Sequence, residues 1–316
     1  MEQTQRIVEK CQSILEQIRS VVVGKDTTLV WALAAILAKG HILLEDIPGV
    51  GKTTVAVAFS RALGLSYNRV QFNPDVLPSD ITGYSVLNQA TGEMEYRDGA
   101  VLCNLFLADE LNRATSRTQS ALLEAMEERQ VTVDGQTRPV PVPFSVIATQ
   151  NPAGAAGTQL LPDSQIDRFM ICLQMGYPQP KDEVTMLLQR QGRDPMDQVQ
   201  PVVTAEELAQ MQKVVSQTFM SEDVASYIVE LVDATRRSSL LRRGASPRAT
   251  LALAAMAKSV AQLGGRDYVV PEDVQDTFAT TMAHRLQVSA EAEMKDMDMG
   301  QVLDTILGSV PAPELR

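Results

Sequence analysis

Five short apolar runs punctuate the first part of the chain: Ile42 to Leu44, Tyr67 to Phe72, Asn104 to Ala108, Ser145 to Ala148 and Phe169 to Leu173. Helical segments separate several of them, which predicts an α/β fold with a five-stranded parallel sheet sandwiched by helices. Ahead of the runs, Ile7, Cys11, Ile14, Leu15 and Ile18 recur at spacings of three and four, an amphipathic helix over 5–19. A second helix over about 26–38 contains Trp31, which reads as core packing. From Tyr177-Pro178-Gln179-Pro180 onward only helical patterns appear, over about 181–191, 204–217, 221–239, 247–264, 271–288 and 300–309. The prolines therefore mark a joint between an α/β domain, 1–178, and an all-helical domain, 179–316. The acidic, Met-rich stretch Glu291 to Met299 reads as a solvated connector rather than a metal site.

Two hairpins interrupt the sheet pattern. Asp134-Gly135 between Val131-Thr132-Val133 and Gln136-Thr137-Arg138 is a strong two-residue turn signal, and Ala90-Thr91-Gly92 is a weaker one between Val86 and Tyr96. The hairpins are either surface ribbons or arms that touch a partner. The helix between them is expected to start at Ser116, with Gln119 completing a capping box, and to turn Leu122, Leu123 and Met126 inward.

Ligands of parallel sheets bind beyond the carboxyl ends of the strands, so the residues following each run carry the candidate chemistry. After the first run comes Asp46-Ile47-Pro48-Gly49-Val50-Gly51-Lys52-Thr53-Thr54, and helical character resumes at Thr54. Strand, glycine-rich loop and helix N-terminus turn backbone N–H groups and a helix dipole toward one point, which suits a phosphate chain. Lys52 would reach the β- and γ-phosphates and the Thr53 hydroxyl would hold Mg²⁺, although Asp46 replaces the first glycine of the general G-x-x-x-x-G-K-[ST] pattern. In isolation such a tripeptide is also an ordinary surface turn. The third run ends in Asp109-Glu110, where Asp109 suits a water-mediated hold on Mg²⁺ and Glu110 suits activation of a water. Without the phosphate loop this pair would read as exposed acids at a strand end. Thr149-Gln150-Asn151-Pro152 ends the fourth run, and Asn151 either positions a water or γ-phosphate or simply forms an Asn-Pro turn. Val23 and Gly24 are candidates to receive the base or, equally, part of the core.

Two arginines also stand out. Arg168, just before the fifth run, is open to a structural ion pair or a catalytic contact. Arg248 follows Ser246, a good N-cap, and Pro247, an ideal first helical residue, and so projects where an anion would be met. Arg242 and Arg243, before Gly244, are expected to complement a helix C-terminus.

Composition narrows the picture. The chain has 316 residues, 45% of them hydrophobic, and a net charge of −11, which opposes nucleic acid or an anionic membrane as principal partner. Three scattered cysteines, Cys11, Cys103 and Cys172, and two histidines make neither a disulfide framework nor a zinc site. The longest uncharged apolar run, Leu29 to Ala38, is ten residues. About 18 are needed to span a bilayer. With no apolar signal core near Met1, a cytoplasmic protein without membrane insertion is expected.

Taken together, Leu43 to Thr53, Pro74 to Gly83, Ala108 to Ala114, Gln119 to Glu128, Ala148 to Pro152, Leu161 to Phe169 and Gly244 to Arg248 resemble the MoxR family of AAA+ ATPases. The resemblance runs from Val23-Gly24-Lys25 to the helices after 246. It implies an AAA+ P-loop sheet with two hairpin insertions and a helical lid domain. It further implies ATP and Mg²⁺ at Lys52 and Thr53 (Walker A) and Asp109 and Glu110 (Walker B). Asn151 would be sensor 1, Arg168 an arginine finger on a neighbour's nucleotide, and Arg248 sensor 2, tilting the lid with nucleotide state. Asp46 in place of the first Walker glycine is usual in that family, whereas Ala153 to Gly157 departs from the acidic and larger residues its members tend to carry. The resemblance implies a homo-oligomer, a hexameric ring, acting as a chaperone-like remodeller of partners with von Willebrand factor A domains, in metal-cofactor insertion or complex assembly. The alternatives are a nucleic-acid-dependent AAA+ motor or loader and a nucleotide-gated binding scaffold. No Asn-Lys-x-Asp base-reading motif appears, which speaks against a GTPase.

Overall fold

The computed structural model describes residues 2–47, 49–150, 161–189, 191–192 and 194–314. Two helices, α1 (Glu2–Arg19) and α2 (Asp26–Leu37), precede β1 (Ile42–Glu45), and α3 (Lys52–Ala62) and β2 (Tyr67–Gln71) follow. A short α4 (Pro78–Thr82) leads into a hairpin of β3 (Gly83–Leu87) and β4 (Met94–Asp98), then β5 (Leu105–Asp109) and α5 (Ser116–Glu128). A second hairpin, β6 (Gln130–Val133) and β7 (Gln136–Pro139), precedes β8 (Ser145–Gln150), α6 (Asp163–Ile166) and β9 (Ile171–Leu173). Next come α7 (Pro180–Gln189), α8 (Ala205–Ser216), α9 (Glu222–Arg237) and β10 (Leu241–Arg243). The last elements are α10 (Pro247–Leu263), α11 (Pro271–Met282), β11 (Gln287–Val288), α12 (Ala290–Met294) and α13 (Met299–Ser309).

The five apolar runs form one parallel sheet in the order β2-β5-β8-β1-β9. Every residue of β5 and β8 is buried, as continuous runs in a sheet covered on both faces must be. Alternate positions feed two cores. Ile42, Leu44, Leu105, Leu107 and Ile147 join the core shared with α1, α2 and α3, while Leu43, Phe106, Ala108, Val146 and Ala148 join Leu122, Leu123 and Met126 of α5. Burying each large side chain contributes about 1.5–3 kcal/mol.

The Asp134-Gly135 turn has both residues at positive φ, 51° and 74°, the mirror-image turn that matches strand twist in a two-residue hairpin. Helix α5 is capped one residue earlier than expected. Thr115, not Ser116, accepts the Thr118 N–H, and Gln119 instead donates from its side chain to the Leu111 and Ala114 carbonyls.

The joint at Pro178 separates the strands of the sheet from the later helices, but the cores do not divide there. Leu208, Met211 and Val215 of α8 belong to the core of α1, α2 and α3. A third core gathers α9, α10, α11 and α13. That lid is not wholly helical, because β10 and β11 pair antiparallel, placing Arg242 and Arg243 on a strand rather than at a helix end. Arg243 is bound to Asp163 at 2.7 Å. The helix expected to reach 288 stops at Met282, since Arg285 is only 4% exposed and turns its guanidinium onto Asp167 and the Phe169 and Met170 carbonyls. These bonds tie the lid to the start of β9. The expected connector after 290 contains α12, capped by Ser289 accepting the Ala292 N–H.

His41, at the start of β1, is buried. Its Nδ1 accepts the Val146 N–H at 3.0 Å, which leaves Nε2 to donate to the Met126 carbonyl at 3.2 Å. Burial, with the nearby Arg129 charge, pulls its pKa down to about 4. A histidine more acidic folded than unfolded keeps its full stabilising contribution above the unfolded value near 6.5 and loses it as pH falls toward the folded value. At pH 5 the wild type is expected to be less stable than at pH 7 by about 2 kcal/mol through this group alone. His41→Gln should flatten that part of the slope between pH 6.5 and 5, as read from chemical-denaturation midpoints. An unchanged slope would contradict the assignment.

Candidate functional site

The loop after β1 is fastened at its first residue. Asp46 is buried, and its Oδ2 accepts the Met175 and Gly176 N–H groups at 2.6 Å each while Oδ1 accepts the Ile47 N–H at 2.8 Å. Glycine at 46 could make none of these bonds. From the other side Lys25 Nζ donates to the Met175, Gly176 and Tyr177 carbonyls at 2.5, 3.1 and 2.9 Å. The segment following β9 is thus gripped between the carboxylate that begins the loop and an ammonium from the turn before α2. Asp46→Ala leaves the buried Met175 N–H and the part-buried Gly176 and Ile47 N–H groups without their acceptor and should destabilise the fold by about 2–4 kcal/mol, seen as a lower denaturation midpoint. An unchanged midpoint would refute this role.

Gly49 and Gly51 have φ of 86° and 95°, which favour glycine, and Gly51 is the residue from which α3 starts. Pro48 lies outside the described residues. Lys52 is 8% exposed and its Nζ donates to the Asp46 carbonyl at 2.6 Å. Burial lowers its pKa, against the opposing charges of Asp46, Asp109 and Glu110. A cavity of about 270 Å³ opens here, lined by Gly49, Gly51, Lys52, Thr53, Thr54, Asp109 and Glu110. Val50 packs on the sheet core instead. Val23 and Gly24 do not line this cavity. Gly24, with φ of 72°, is pressed against α7, where an added Cβ would meet Asp182 Oδ2 at 2.1 Å.

Strand register brings the two acids to the loop. Asp109 follows Ala108, which pairs with Ala148, so Thr149 of β8 stands beside Asp109. The Thr149 hydroxyl donates to Asp109 Oδ1 at 2.7 Å and accepts the Glu110 N–H at 2.8 Å. Arg69 of β2 donates to Asp109 Oδ2 through Nε at 3.2 Å and an amino group at 2.7 Å. With both oxygens engaged, Asp109 is held rigidly. Glu110 sits in the left-handed region, φ 57° and ψ 44°, a costly backbone for a non-glycine residue that persists only where neighbours impose it. Arg113 binds its carboxylate at 2.8 Å. Asn151 lies outside the described residues, as does the departing run Ala153 to Gly157.

Buried lysine, helix N-terminus, hydroxyl and fixed carboxylate around one cleft would suit a magnesium nucleotide. Lys52 and the loop N–H groups fit the phosphates, and Thr53 and Asp109 fit the cation, whose charge would neutralise the β- and γ-oxygens. Glu110 is the group at hand for a water.

The two arginines lie elsewhere. Arg168 precedes β9, whose Ile171 pairs with Ile42, and Met170 N–H donates to the His41 carbonyl, so Arg168 stands at the amino edge of the sheet. Glu127 follows Met126, which His41 also meets. Arg168 Nε donates to Glu127 Oε2 at 2.8 Å, and Arg248 donates to Glu127 Oε1. Ser246 donates to both Asp167 oxygens, at 3.1 and 2.9 Å, docking the start of α10 at this edge. The phosphate loop is at the other edge, about 13 Å away along a four-residue strand. Within one subunit Arg248 therefore does not stand at the Lys52 cleft: the lid docks at the amino edge and carries Arg248 to Arg168.

Sequence reasoning missed Arg69, Thr149 and Glu127. Arg69 alternates with Tyr67 and Gln71 on one face of a strand, where a cation inside a sheet edge was a usable signal.

Known proteins bear out the reading of the class. Residues 41–171 match the model of the ATPase family associated with various cellular activities (AAA), and residues 233–306 match that of the AAA lid domain. The fold and cleft are those of an AAA+ ATPase. The uncharacterized protein YeaC of Bacillus subtilis is 43% identical over 302 residues, covering 96% of this chain and 94% of that protein. Chaperone MoxR1 of Mycobacterium tuberculosis is 37% identical, covering 98% of this chain and 84% of that protein. A crystal structure of a candidate ATPase from Cytophaga hutchinsonii superposes with a TM-score of 0.91 at 36% identity, covering 99% of this chain and 98% of that one. The chain belongs to the MoxR family of AAA+ ATPases.

Proposed function

We propose that the chain hydrolyses ATP with Mg²⁺ in a ring of like subunits, a hexamer, and uses the cycle to remodel or mature partner proteins. The observation that carries this is the separation of the chemistry: Lys52, Thr53, Asp109 and Glu110 share one cleft at the carboxyl edge, while Arg168 and Arg248 share a carboxylate at the amino edge. One subunit cannot bring both sets to one phosphate, whereas two adjacent copies can. Within the cleft Lys52 and Thr53 bind the triphosphate, and Asp109 holds Mg²⁺. Glu110 orients and deprotonates the attacking water, Asn151 keeps the sensor 1 role that the family resemblance gives it, and the neighbour's arginines meet the developing charge.

The chaperone reading rests on the name of the Mycobacterium tuberculosis relative and on the first hairpin, whose paired Leu87 and Met94 face solvent at 60% and 64% exposure. We assign the partner to the class with von Willebrand factor A domains, in metal-cofactor insertion or complex assembly, within the cytoplasm. No helix among the described residues is long and apolar enough to cross a membrane. The test is Mg²⁺-dependent phosphate release by purified protein, with Lys52→Ala as control, followed by co-purification with such a partner in ATP. No phosphate release, or equal release by Lys52→Ala, sinks the reading.

A further inference from the structure

Glu127 is out of place by local rules. It lies in the last turn of α5, where a negative charge meets the negative end of the helix dipole, and that turn holds no basic residue. Its carboxylate is instead spent on two distant arginines. One oxygen takes Arg168, from the loop before β9, and the other takes Arg248, from the first turn of α10 in the lid. Next to them Asp167 is bound by buried Arg285 at 2.9 Å and lies 3.9 Å from Arg248. Three guanidiniums thus face two carboxylates, which leaves one positive charge to attract a further anion. Arg285 is consumed by Asp167 and carbonyls, so the open charge belongs to Arg168 and Arg248, whose side chains are 31% and 41% exposed. Among the described residues Arg168 bonds Glu127 through Nε, so its two amino groups stay available to another acceptor.

We infer that Glu127 is a positioning residue for ATP hydrolysis, holding Arg168 of the sheet domain and Arg248 of the lid as one fork that meets the γ-phosphate of ATP on a second copy of this chain. Without the carboxylate the two cations repel each other and lose the one group that joins them directly, although Arg285 and Ser246 still dock the lid on Asp167. With it, a shift of the lid is felt at Arg168. The inference rests on the ATPase reading, and its test separates the two.

In the full-length chain, Glu127→Gln is expected to lower kcat about tenfold, the scale of two part-exposed charge pairs, with KM for ATP changed less than about twofold. Glu127→Asp, which keeps the charge, should retain more turnover than Glu127→Gln. The defect lies on the face presented to a neighbour, so mixing Glu127→Gln subunits with Glu110→Gln subunits, whose arginines are intact, should raise turnover above the sum of the separate proteins. A merely structural loss would not be rescued in this way. Glu127→Gln turnover within twofold of wild type or above it, a KM effect alone, or no gain on mixing overturns the inference. A wild-type chain with no turnover overturns the ATPase reading as well.

Discussion

Glu110→Gln is expected to bind ATP with unchanged affinity and to hydrolyse it more slowly by a factor of about 10²–10⁴, the usual worth of a positioned general base. The substitution is isosteric, and the left-handed backbone at 110 is fixed from outside the side chain by the Thr149 hydroxyl on the Glu110 N–H. What is removed is therefore basicity and not geometry. On the proposed reading binding is carried by Lys52, Thr53 and the loop, and among these Lys52 feels the 110 carboxylate only as the smallest of three nearby charges. Arg113 currently shares that carboxylate, and proton acceptance by Glu110 calls for this pair to loosen when substrate arrives. A fluorescent ATP analogue and a phosphate-release assay check the two halves separately. Hydrolysis at the wild-type rate would remove Glu110 from its role.

The second large effect concerns Arg168. An arginine supplied by a neighbour is worth about 10³–10⁵ in rate, because it meets charge on the transferring phosphoryl group in a site shielded from water. Arg168→Ala should cost that much while leaving the subunit's own cleft intact, since the two lie at opposite edges of the sheet. Mixing it with Lys52→Ala, which has no working cleft but an intact Arg168, should restore part of the activity. If mixed assemblies stay as slow as the separate proteins, Arg168 is a local ion-pair partner of Glu127 and nothing more.

Much of this architecture is legible along the chain because it is local. The five strands announce themselves as apolar runs, and the phosphate loop, the Asp109-Glu110 pair and the Ser246-Pro247 helix start are each read within a few residues. What stays hidden depends on register and docking across long separations. Thr149 acquires its role only when β5 and β8 align 40 residues apart, and Glu127 meets Arg248 across 121 residues. Arg248 is the instructive case. Its place at a helix N-terminus marks it as an anion seeker, but which subunit's anion it meets depends on where the lid docks, and Arg285 buried against Phe169 and Asp167 decides that. Likewise Arg242 and Arg243 look like helix-end cations until β10 and β11 are seen to pair.

The central claim is that the cleft around Lys52 is chemically incomplete until a second copy brings its arginines. The most direct measurement is turnover per subunit against protein concentration, in saturating Mg²⁺ and ATP, with assembly state followed by sedimentation on the same samples. Turnover per subunit should rise steeply as oligomer forms and be near zero where sedimentation shows monomer. Full turnover by the dilute monomer would contradict the account.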